Sequence, residues 1–142
     1  MNRREMLLTL GATAVTLTSA AGLQAAEHSA HNGGPADHCA RACADCLIEC
    51  AMHVHHCAQH LVDGDKAYAK CLELCSACAS SCSACIQSCF GPAGTTAAEA
   101  CAKMCDTCAT ECDKFKDDEA MKQCAKACRA CAMTCREFAQ AA

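Results

Sequence analysis

The residues able to do chemistry in this chain are thiols. Of 142 residues, 19 are Cys. They fall in four blocks: Cys39, Cys43, Cys46, Cys50 and Cys57; Cys71, Cys75, Cys78, Cys82, Cys85 and Cys89; Cys101, Cys105, Cys108 and Cys112; Cys124, Cys128, Cys131 and Cys135. Steps of four and three alternate within each block. Nine C-x3-C pairs, from Cys39/Cys43 to Cys131/Cys135, take 18 of the cysteines, and Cys57 pairs with His53 as H-x3-C. A thiolate set this dense selects soft ions: Cu(I), Zn(II) or iron–sulfur clusters.

Three readings compete for these thiols. Disulfides meet a geometric obstacle, because i and i+4 on a helix hold their Cβ atoms about 5–6 Å apart where a bridge wants about 3.8 Å. The odd count also leaves one thiol over. A plain apolar core is the second reading, since Cys packs as a small hydrophobe, but without larger side chains the interior would hold voids. Metal filling that space is the third. One Cu(I) per thiolate leaves the interior near neutral, as burial demands, whereas each four-thiolate Zn(II) site keeps two negative charges. Zinc also favours tetrahedra on C-x2-C knuckles, and here Cys43/Cys46 and Cys75/Cys78 are by-products of the 4-3 alternation. Iron–sulfur motifs add Pro or a loop near their cysteines, and these blocks contain neither. Multiple Cu(I) ions per chain fit best: one per pair gives about ten, and bridging thiolates raise the bound to ~19.

The 4-3 alternation is the a/d repeat of a helix seam facing partner helices. His53 fills the step from Cys50 to Cys57. His60, Met121, Phe115 and Phe138 continue the phase. Pro35 suits a first helical position. Asp63-Gly64-Asp65, Phe90 to Gly94 and Lys116-Asp117-Asp118 punctuate, and Thr96-Ala97-Ala98-Glu99 reads as a capping box opening the third helix. Ala, Lys, Glu, Asp, Ser and Thr between the seams suit exposed faces. Connections this short imply antiparallel neighbours. The expected fold is all-α, an antiparallel up-down-up-down four-helix bundle with a Cys-lined core. From Glu27 onward only 16 Leu, Ile, Val, Met, Phe or Tyr remain, with no Trp, so an ordinary large-residue core is excluded. The net charge of −4 argues against nucleic-acid binding.

Arg3-Arg4 precede a weakly apolar stretch from Met6 to Leu23, with Ala25 and Ala26 after it. This looks like a twin-arginine export signal and is a poor membrane span. The expected division is an export signal over 1–26, a flexible His-containing tail over 27–35 and a metal-binding bundle over 36–142. The mature chain would lie in a periplasm, without a membrane anchor.

An exported chain with four helices lined inwardly by C-x3-C pairs resembles the bacterial copper storage proteins. The resemblance implies Cu(I) on all 19 cysteines and assembly as a homotetramer. It also implies His and Met ligands at one open end of the bundle, which here gathers His53, Cys57, His60, Cys71, Cys112, Met121 and Cys124. His55 and His56 are out of phase and read as solvent-facing, while Met52, Met104 and Met133 read as packing. Phe90, Phe115 and Phe138 read as plugs for the bundle ends. His28, His31 and His38 belong to the solvated tail. The implied function is a copper store that protects the cell envelope or supplies copper enzymes. A copper chaperone and a metallothionein-like zinc buffer are the alternatives. No Ser/His/Asp set, nucleotide loop or carboxylate pair points to an enzyme.

Overall fold

The computed structural model describes residues 33–141. They form four helices, α1 (Pro35–Val62), α2 (Ala69–Ser88), α3 (Gly94–Cys112) and α4 (Glu119–Ala141), with a single 3-10 turn at Lys66–Tyr68 ahead of α2. Each helix packs on its neighbours in sequence, and α1 closes the ring against α4. This is the expected four-helix bundle. Among the described residues no helix is long and apolar enough to cross a membrane.

The breaks have local causes. Pro35 opens α1, where its missing N–H costs nothing. The helix ends in a Schellman motif: Asp65 N–H bonds His60 O at 2.9 Å and Gly64 N–H bonds Leu61 O at 3.1 Å. Gly64 takes the required left-handed backbone at φ 93°. Asp118 caps α4, its Oδ1 accepting from Ala120 N–H at 2.9 Å and Met121 N–H at 3.2 Å. The capping box expected at Thr96 does not form. Instead α3 starts at Gly94 after Ala93, without a side-chain cap. Gly94 is buried against the end of α2, where a Cβ would lie 2.8 Å from Cys89 O. That close approach sets the start of the helix two residues before Thr96.

All 19 cysteines are buried, most of them completely. Ala98, Ala102, Ala109, Ala125 and Ala132 are buried with them, a departure from the outer faces expected for alanine. Ala98 continues the seam of α3, and the others lie beside the seams of α3 and α4 at heptad spacing, where a methyl group lets helices sit close. Other expectations also change. Phe90 is 68% exposed and plugs nothing, and Met52 and Met133 are exposed rather than packed. Phe138, Met104 and Phe115 pack against the core, with Phe115 in the loop after α3 rather than on its seam. His38 is exposed on the first turn of α1. The expected signal, and with it His28 and His31, lies outside the described residues.

Candidate metal centre

The a/d phase turns every thiol inward from all four helices at once. Sulfurs meet across adjacent helices: Cys43 and Cys135 at 3.5 Å, Cys78 and Cys105 at 3.6 Å, Cys50 and Cys128 at 3.7 Å. They also meet across the diagonals, Cys46 with Cys105 at 3.9 Å and Cys75 with Cys124 at 3.8 Å. The i,i+4 neighbours on one helix are no closer, at 3.9 Å for Cys46/Cys50 and 3.7 Å for Cys85/Cys89. Thiols on the seam therefore have sulfur neighbours both on their own helix and on other helices. Every cysteine is a free thiol, and all these separations far exceed the ~2.05 Å of a disulfide.

The sulfurs form groups of four whose ligating atoms lie within 4.8 Å of one another, and the groups overlap. Cys46, Cys50, Cys78 and Cys128 make one, Cys46, Cys78, Cys82 and Cys105 a second, and Cys50, Cys108, Cys124 and Cys128 a third. Each of these groups shares sulfurs with another. Two thiolate–metal bonds of about 2.3 Å span at most about 4.6 Å, so neighbouring sulfurs need to open only slightly to take an ion between them.

Burial opposes ionisation of these thiols. It pushes the Cys89 thiol up to about 11, helped by a hydrogen bond with Cys39. Hydrogen bonding with Cys71, and then burial, holds Cys57 up at about 12. Hydrogen bonds with neighbouring thiols instead hold Cys46, Cys71, Cys101 and Cys108 down. The column thus mixes thiols of both kinds, and an incoming ion must replace protons at those raised like Cys57 and Cys89.

One end of the column differs in chemistry. Met121 Sδ lies 3.4 Å from Cys71 Sγ and 3.9 Å from Cys57 Sγ, and Cys71 lies 3.5 Å from Cys112. His53 is buried, its Nδ1–H donating to Glu49 O at 2.5 Å. That bond fixes the tautomer and leaves Nε2 as the atom able to ligate. His60, expected beside them, sits on the rim instead, its ring stacked on Tyr68 at 3.9 Å. His55 is solvent-facing as expected. His56 is only partly so, because its Nε2–H donates to Asp118 Oδ2 at 2.8 Å. Sequence reasoning missed Asp118 and Tyr68. Only a DD pair after a seam marked the first, and nothing marked the second.

A family model for copper storage proteins matches residues 91–140. A solved structure of the Cu(I)-bound copper storage protein BsCsp3 is 32% identical, with a TM-score of 0.63 over 74% of this chain and 98% of that one. This chain belongs to the copper storage protein family. A crystal structure of a protein from Nitrosospira multiformis shares the fold at 26% identity, with a TM-score of 0.64 over 76% of this chain and 97% of that one. No curated protein matches. Within the copper storage family, this chain's described residues carry the whole bundle and its full complement of thiols.

Proposed function

We propose that this chain is a high-capacity Cu(I) store, holding many ions on thiolates inside the bundle. The observation that carries this reading is the overlap of the four-sulfur groups along the lumen. A continuous column of shared soft ligands suits an ion that accepts low coordination and bridging thiolates. Discrete Zn(II) tetrahedra would exhaust it at four sites, since 19 cysteines make four sets of four with three over. The ligands are the 19 cysteines, with His53 and Met121 at one end; His60, stacked on Tyr68 at the rim, stands apart from them. Burial of the cysteines, His53 and Met121 supports storage rather than catalysis. A chaperone, by contrast, would present one exposed site. Residues 1–26 as an export signal, with 27–35 as a tail and 36–142 as the bundle, put the store in the periplasm. There it would shield the envelope or supply copper enzymes, as a homotetramer.

Anaerobic titration of the reduced protein with Cu(I) against a chromophoric chelator tests the reading. Tight uptake of about ten or more ions supports it, and saturation at one or two overturns it. Zn(II) that displaces bound Cu(I) would favour the zinc buffer instead.

A further inference from the structure

A second set of ligating atoms lies outside the thiol column. His56 and His60 stand one turn apart on α1, the i,i+4 spacing by which two helical histidines chelate a metal ion. Their Nε2 atoms converge on one oxygen, Asp118 Oδ2, at 2.8 Å and 4.0 Å. Asp118 can offer that oxygen because Oδ1 is occupied in capping α4. Tyr68 holds the set in place. Its hydroxyl donates to Oδ2 at 2.7 Å, and its ring lies within 7° of parallel to His60, backed by Phe115 at 4.3 Å. The three groups open onto a depression of about 870 Å³ where water can complete a coordination sphere. Asp117 and Glu119 also line it. So do Lys116 and Lys114, the latter paired with Glu111 at 2.6 Å.

We propose that His56, His60 and Asp118 form a rim site for one divalent transition-metal ion, bound through two imidazole nitrogens and one carboxylate oxygen. Without sulfur, this donor set suits borderline divalent ions rather than Cu(I), and Cu(II) binds it more tightly than Zn(II). Bonds of about 2.0–2.1 Å separate two ligand atoms by about 2.9 Å at a right angle and about 4.1 Å in line. The two observed separations approximate those values, as in the tetragonal geometry of Cu(II). On binding, the ion takes the place of the proton that His56 Nε2 shares with Asp118, and that proton leaves to solvent. The rim thus receives the oxidised form of the metal whose reduced form the interior holds. This site goes beyond the storage reading and does not rest on it.

The test is anaerobic equilibrium dialysis of Cu(I)-filled protein against micromolar Zn(II), comparing wild type with His56→Ala and Asp118→Asn. Wild type should retain one more Zn(II) than His56→Ala. Asp118→Asn should weaken its retention about tenfold or more. X-ray absorption at the zinc edge should show nitrogen and oxygen neighbours without sulfur, and equimolar Cu(II) should release the zinc. Equal retention by wild type and His56→Ala, or a sulfur shell around the zinc, overturns the site. Zinc that Cu(II) does not displace overturns the Cu(II) preference. His56 is a part-exposed surface residue, so its variant remains informative if Asp118→Asn fails to fold. Failure of the storage reading would show earlier, as failure to load Cu(I). The same one-ion difference would then be measured on reduced, metal-free protein.

Discussion

The thioether sulfur of Met121 lies 3.4 Å from the thiol sulfur of Cys71, so the column ends in a layer where two kinds of sulfur meet. If Met121 is a ligand, Met121→Leu keeps the volume and removes the donor. Metal-free stability should change by less than about 1.5 kcal/mol, while Cu(I) capacity falls by about one ion and the chelator strips that end faster. Melting curves and chelator competition check both halves. Full capacity with wild-type release would make Met121 a packing residue.

Loading should release protons and stabilise the fold together. Buried thiols raised like Cys57 and Cys89 are protonated at neutral pH, so each thiolate formed sends its proton to solvent. A weakly buffered indicator should report proton release during loading, up to about one proton per thiol engaged. The melting temperature should climb with each addition, because a site at 100-fold excess over its Kd contributes about 2.7 kcal/mol. Uptake without acidification, or with an unmoved melting temperature, would place the copper outside the core.

Gly94 is where α3 leans on the end of α2. Gly94→Ala drives a methyl to 2.8 Å from Cys89 O, a backbone atom that cannot swing away. The expected loss is about 1–3 kcal/mol, read by denaturant melts. Gly91→Ala is the control: its Cβ would meet only Ser88 O, at 3.6 Å, and should cost far less.

Asp118 links stability to pH. Burial would raise its carboxyl, but hydrogen bonds from His56, Tyr68 and Met121 N–H outweigh that and hold it at about 2. A carboxylate lowered in the fold stabilises above its ordinary value near 4, and the contribution fades as pH falls through about 2. In chelator-treated protein, Asp118→Asn should cost about 1–2 kcal/mol at neutral pH. The gap from wild type should close between about pH 4 and pH 2. A gap independent of pH would leave only the helix cap as the residue's role.

The 4-3 cysteine spacing made the bundle legible, because one phase runs through all four helices and each thiol has one face to occupy. Features that depended on contacts between distant segments were not legible. Alanine fits a seam or a surface equally well, so Ala102 and Ala125 carried no signal of burial. Thr96 and Glu99 satisfied a local capping rule, yet packing at Gly94 overrode it. Phe90 is large and apolar, but it falls on a loop that turns it to solvent. His56 and Asp118 are 62 residues apart in the chain, and no local pattern announces a pair that only the closed bundle brings together.

Sulfurs shared between neighbouring groups give the lumen a kind of fault tolerance. In a set of separate cages, losing one ligand closes one cage. Here Cys46 and Cys78 serve at least two groups each, as do Cys50 and Cys128. An ion deprived of one sulfur still has others within reach, and its neighbours can redistribute. Capacity should therefore erode gradually as thiols are oxidised or mutated. Such a container can drift in sequence and still hold most of its load.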